Sequence, residues 1–308
     1  MKKIKTILLS TLAIVSFSCQ NSDSESIENP SDYIPIENPN ATPYITEVVD
    51  FSPAPGQFIN YSTNAETKEN IIGSSDQFMS LGTFGGNVTF KFDHSILNTD
   101  GNDLAIYGNS FKGSSEPGIV MVCQDLNHNG LVDDNEPWYA LKGSEFNKSS
   151  TKHQYSITYY KPSATENQHI INYTSSYNGT EENGKMDFTA VIPYHDHPMF
   201  PAEYTENEIT FTGTLLASNT TKEGDVYYNN KYDWGYSDNA GYENEEKLRG
   251  ADLFDFKNAV DINGQAVQLN AVDFIKVYTC TKEVNGWLGE RSTEIIKAAD
   301  LSLLSNEK

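Results

Sequence analysis

Residues 118–142 read GIVMVCQDLNHNGLVDDNEPWYALK, and the way this stretch divides decides the fold. GIVMVCQ and WYALK are short runs of β-branched, aromatic and apolar residues, and an Asn/Asp/Gly-rich segment lies between them. That is strand, loop, strand. Pro137, directly behind the loop, forbids a helix leaving it. Similar runs recur outward from here, at 87–92 (NVTFKF), 103–107, 154–160, 169–175, 185–192, 208–216 and 272–280. In 87–92, Val88, Phe90 and Phe92 share one face while Thr89 and Lys91 take the other. This is a period of two, not 3.6. Helical turns are expected only near 257–260 and 293–299. The chain is therefore expected to be all-β, a jelly-roll-like two-sheet sandwich with long loops. No fixed-period repeat points to a propeller or solenoid.

The loop inside the opening stretch carries the strongest chemical motif. Asp125, Asn127, Asn129 and Gly130, followed by Leu131, Asp133 and Glu136, match D-x-[DN]-x-[DN]-G-x5-E at every required position. Calcium takes roughly six to eight oxygens, and alternate residues bring theirs to one side of a tight loop. Leu131 would offer its carbonyl, Asp133 would act directly or through water, and Glu136 would close the site. Strands rather than amphipathic helices flank the loop, so a Ca2+ staple between strands is expected instead of a sensor. The competing reading is an acidic turn that binds nothing.

The chain has 308 residues, with 21 Lys+Arg against 43 Asp+Glu and a formal charge of −22. Phosphate neutralisation needs clustered basic residues, so nucleic acid is excluded as a partner. The 15 Phe, 18 Tyr and 3 Trp exclude an acidic disordered chain and supply a core. Lys2, Lys3 and Lys5 precede an apolar run, 7–17, that ends at Cys19. The run is too short to span a bilayer and reads as a signal peptide over 1–18, with Cys19 as the lipidated residue. Residues 19–42 are polar, acidic and proline-containing, and read as a flexible tether. Residues 43–301 read as one elaborated sandwich domain and 302–308 as a tail. A division near 161–167 is the alternative.

Other candidates are weaker. Tyr232, Trp234 and Tyr236 lie in an aromatic segment, 227–242, whose rings suit a sugar or a flat cofactor or else pack down on the sheets. His195 and His197 could meet a metal or a corrinoid cobalt, but a solvated loop is expected. Glu290 with Glu294, and Asp252 with Asp255, could form a hydrolytic pair but read as solvated surface. No nucleophile-elbow, zincin or phosphate-loop motif is found. Cys123 and Cys280 are either a disulfide or two buried thiols.

Several stretches carry a resemblance: FSPAPGQFIN (51–60), SLGTFGGNVTFKFDH (80–94), AIYGNSFKGSSEPGIVMVCQDLNHNG (105–130), DLFDFKNAVDINGQAV (252–267) and GWLGERSTEI (286–295). Together they resemble a family of Bacteroidota cell-surface lipoproteins of the PKD-domain-containing type, over about residues 48–296. The acidic residues behind Cys19 look like the export signal of such lipoproteins. The resemblance implies display at the outer membrane, anchored by lipid through Cys19. It also implies a TonB-dependent transporter as partner and a glycan or corrinoid as ligand. The family's DxNGNG loop corresponds to Asp125, Asn127, Asn129 and Gly130, with His128 in place of a glycine. No separate PKD module is found. A binding protein is the leading expectation, with a calcium-dependent polysaccharide hydrolase or a purely structural surface protein as alternatives.

Overall fold

The computed structural model describes residues 29–61, 64–244 and 246–304. The signal segment 1–18, Cys19, the tether up to residue 28 and the end of the tail lie outside the described residues. Among the described residues, no helix is long and apolar enough to cross a membrane.

Apolar alternation sets the first layer. Strand Asn87–Leu97 turns Val88, Phe90 and Phe92 inward, where all three are buried. It sits in a six-stranded antiparallel sheet ordered Glu47–Ser52, Asn87–Leu97, Ala271–Thr279, Gly118–Cys123, Tyr139–Leu141 and Ala259–Val260. The facing layer comes in two pieces. Ala251–Phe254, Leu104–Tyr107 and Lys297–Asp300 form a three-stranded sheet, and Met79–Ser80 pairs with Glu294–Ile295. Leu104 and Ile106 of that layer meet Phe90, Val120 and Ile275 in one core. Each such side chain contributes about 1.5–3 kcal/mol when removed from water. The result is the expected all-β sandwich, with several sheets and none closed into a barrel.

A four-stranded antiparallel sheet adds a further layer, ordered Glu208–Leu215, Lys152–Tyr160, Ile170–Tyr177 and Thr180–Asp187. It has its own core around Tyr155, Tyr159, Met186 and Met199, closed by Ala54 and Phe84. Strand Glu208–Leu215 lies against the outer face of the six-stranded sheet, where the Tyr278 hydroxyl accepts from the Thr214 N–H at 3.0 Å. That cover explains why Ala271–Thr279 is buried on both faces, and why the outward Thr89 is only 2% exposed. Strands Lys152–Tyr160 and Ile170–Tyr177 pair directly, so 161–167 is a connection within one sheet and not a boundary.

Several local expectations are corrected. The helical turn near 293–299 is instead two strands, because both find ladder partners. A helix at Asn64–Asn70 had no clear periodic signal. The run at 185–192 ends as a strand at Asp187 and continues as a 3-10 turn, Thr189–Val191. The tether reading fails from Pro30 onward. Tyr33 is 2% exposed, the Ile36 N–H donates to Ser95 Oγ at 2.7 Å, and Gln124 Nε2 donates to the Pro30 carbonyl at 3.0 Å. Cys123 lies opposite Phe274, six residues along the strand from Cys280. That is about 20 Å of strand, far beyond the roughly 7 Å limit between bridged Cα atoms. Both thiols are free and buried.

Candidate functional site

The side chains that converge in this molecule are carboxyls the sequence reading placed on the surface. Glu290 is 1% exposed and Glu294 2%. Glu294 sits opposite Ser80 in a two-stranded ladder, and Ser80 Oγ donates to its Oε1 at 3.0 Å. Ser80 Oγ and Ser292 Oγ are 2.7 Å apart, and Ser292 Oγ accepts from the Gly82 N–H at 2.9 Å. Glu290 Oε1 accepts from the Gln57 N–H at 2.8 Å, while its Oε2 has no partner. A Cβ at Gly56 would stand 2.5 Å from Glu290 Oε1, so glycine there is what admits the carboxyl. Asp238, in the left-handed region at φ 52, accepts N–H bonds from Asn109, Ser110 and Glu294. Carboxyl oxygens of Glu116, Asp238 and Glu294 lie within 4.8 Å of one another.

Crowding and burial decide the protonation. Burial pushes Glu290 up to about 8 and Glu116 up to about 7. Burial and then the Glu116 charge hold Glu294 and Asp238 well above the carboxylate range. Glu294 therefore keeps its proton and in turn lowers Glu116 beside it, while its Oε2 has no hydrogen-bond partner. The buried Arg291 guanidinium also lowers Glu116. It is held by the Ser115 and Asn230 carbonyls and by Asn219 Oδ1. Like charges this close cannot all ionise in a low dielectric.

Above this floor opens a cleft of about 490 Å³, walled by Glu116, Glu290, Glu294, Trp287 and Tyr194. A second cleft of about 520 Å³, lined by Tyr61, Phe78 and Ser80, adjoins it across Phe58 and His195, which line both. Trp287, Tyr194, Tyr61 and Phe78 are 52, 70, 57 and 41% exposed, so aromatic faces stand free along both. The His195 ring lies edge-on to Phe58 at 4.9 Å, and its Nδ1 hydrogen bonds the Tyr61 hydroxyl at 2.5 Å. His197 packs on Tyr61, with ring centroids 4.7 Å apart. Burial lowers both histidines, which keeps them neutral. The pair is part of an aromatic wall on a partly exposed loop, with the two imidazole rings 6.2 Å apart and edge-on to each other.

The other expected residues lie elsewhere. Tyr232 and Tyr236 pack with Ile119, Leu216 and Cys280 in a satellite core, at 5 and 2% exposure, and offer no face to a ligand. Trp234 is 47% exposed but lines a separate small hollow beside Leu141 and Leu253. Asp252 does not pair with Asp255. It accepts from Asn239 and Ala240 N–H, while Asp255 caps the turn Phe256–Asn258.

The 125–136 loop folds tightly on itself. Asp125 accepts from the N–H of Asn129 and Gly130, Asn127 Oδ1 from Asn129, and Asn129 Oδ1 from Leu131. Glu136 reaches back to the N–H of Leu126 and Asp133, closing the ring. The amides of Asn127 and Asn129 both donate to Asp133 Oδ2. Asp125 and Glu136 are almost fully buried, and burial followed by the charges of Asp125 and Asp133 raises Glu136.

Acidic residues are so frequent in this chain that Glu116, Glu290 and Glu294 carry no distinguishing local pattern. The one usable signal is Trp287 between Gly286 and Gly289, an aromatic on a turn beside two acids. No protein-family model matches the chain, and a search of curated proteins gives no match.

Proposed function

We propose that this is a lipid-anchored surface protein that captures a glycan in the paired clefts. The observation that carries this reading is the set of solvent-facing rings, Trp287 and Tyr194 above all, over buried carboxyls. Sugar rings present apolar C–H faces for stacking and hydroxyls that need both donors and acceptors. Protonated Glu290 and Glu294 donate, and Glu116 accepts. Two clefts divided by Phe58 and His195 suit linked sugar units better than one broad corrinoid ring. Anchoring through Cys19 to outer-membrane lipid, with a TonB-dependent transporter as recipient, rests on the N-terminal motif and the family resemblance. Titration calorimetry against a glycan panel tests the capture. At least one oligosaccharide should bind the wild type, and Trp287→Ala should weaken it by roughly tenfold, about 1.4 kcal/mol. A panel without binders would reject it.

One observation favours a second reading, hydrolysis of the bound glycan. A carboxyl at about 8 keeps its proton at neutral pH, as a general acid must. Release of reducing ends by the wild type and its loss in Glu290→Gln would establish that reading over simple capture.

We further infer that the 125–136 loop holds calcium. Asp125, Asp133 and Glu136 concentrate negative charge, and the Asn127 and Asn129 amides offset it only partly. Asn127, Asn129 and the Leu131 carbonyl complete the donor set. A bound cation would neutralise these carboxylates and join the two strands that flank the loop.

A further inference from the structure

A third cavity, remote from the carboxyl floor, opens on the outer face of the six-stranded sheet. Lys276 stands near the middle of that face, with Met121 and Thr89 as its register partners on either side. The cavity holds about 290 Å³ and is walled chiefly by Met121, Trp138, Phe146, Phe211 and Val260. Strand Glu208–Leu215 forms its far side. There the pairing with Lys152–Tyr160 breaks between Gly213 and Leu215, and Gln154 takes a left-handed φ of 55. A bulge of this kind often re-aims side chains beside a binding site. It sets His153, Gln154 and Thr214 around the rim.

Lys276 is the anomaly. Its Nζ lies 4.6 Å from the centroid of the Trp138 ring, and among the described residues no carboxylate comes within ion-pair reach. Asp261 lines the same cavity, but its Oδ1 already accepts from the N–H of Asn263 and Gln265. Burial draws Lys276 below the ordinary lysine range, and the exposed Asp50 offsets that only in part. The Trp138 face gives the ammonium a cation–π contact, but no carboxylate neutralises it, and a Leu or Met would fill an apolar hollow at lower desolvation cost. In a chain of net charge −22, this is an isolated attractor for an anion.

We propose that this cavity binds an amphipathic monoanion, its carboxylate or sulfonate head on Lys276 and its flat apolar body between Trp138, Phe146 and Phe211. The site is independent of the glycan clefts.

Two fluorescent probes with closely related bodies test this on the purified protein: anilinonaphthalene sulfonate, which is anionic, and phenylnaphthylamine, which is neutral. The wild type should bind the sulfonate saturably at one site and more tightly than the amine. Lys276→Met should weaken the sulfonate by tenfold or more and leave the amine unchanged. Lys276→Arg should keep sulfonate affinity within a few-fold. Melting curves establish that each variant is folded, and Lys276→Gln replaces the methionine variant if that one is not. No saturable sulfonate binding by the wild type overturns the proposal. So does equal weakening of both probes, or a sulfonate affinity indifferent to residue 276.

Discussion

At the scale of single residues, Glu290 gives the clearest consequence. Its carboxyl ionises near 8 when folded and near the ordinary 4.5 when unfolded. The native state therefore binds the extra proton between those values, and stability falls as pH rises through that window. Below about 4.5 the contribution is complete, and above about 8 it is gone. Glu290→Gln should flatten the melting temperature between pH 5 and 8. Some slope should persist, because Glu116 is raised in the same direction. An unchanged slope in thermal scans would mean that Glu290 ionises normally. The aromatics separate as sharply. Tyr236→Ala removes a 2% exposed ring whose hydroxyl accepts from the Glu145 N–H, and should cost about 3–5 kcal/mol in denaturant titrations. Trp287→Ala and Trp234→Ala, both at exposed positions, should each stay within about 0.5 kcal/mol of wild type. None of this is legible in sequence, where Tyr236 and Trp234 stand two residues apart in the same segment.

At the scale of elements, the 125–136 loop was legible almost entirely. Its spacing is local, and the closure of Glu136 onto Leu126 and Asp133 needs no distant residue. A hundredfold excess of calcium over its Kd should stabilise the wild type by about 2.7 kcal/mol relative to chelator. Asp125→Ala with Glu136→Ala should abolish that difference, and should also lower stability in chelator, since the N–H groups of Asn129 and Gly130 lose their acceptor. Equal melting temperatures of the wild type with calcium and with chelator would leave the loop as a hydrogen-bonded turn. The strand at 294–295 was not legible. Its short sequence satisfies a helical period equally well, and only Ser80 across the ladder decides.

At the scale of the whole molecule, two predictions concern the N-terminus. Cys19→Ala should move the protein from the membrane to the soluble fraction; a variant that still sediments with membranes and takes up labelled palmitate would sink the lipid anchor. A chain beginning at Pro43 should lose about 3–5 kcal/mol in denaturant titrations relative to one beginning at Asn29, since Tyr33 fills a buried site beside Asp273. Equal stability of the two would restore the reading of 30–42 as tether. The four-stranded sheet belongs to this scale as well. Its strands alternate in sequence like any others, yet by covering the outer face of the main sheet it creates the Lys276 cavity.

The sequence by itself determined the all-β class, most of the longer strands and the acidic loop, but not Glu47–Ser52 or the short strands such as Ala251–Phe254 and Lys297–Asp300. Each of those three depends on residues within a dozen positions of one another, through side-chain alternation, turn chemistry and ligand spacing. Only the tertiary structure decided which acids are buried, which aromatics face water and where the cavities lie. Gln57 and Glu290 are 233 positions apart, and Ser80 and Glu294 are 214 apart. A carboxyl's protonation state depends on what surrounds it in space, and that surrounding is assembled here from segments near opposite ends of the chain.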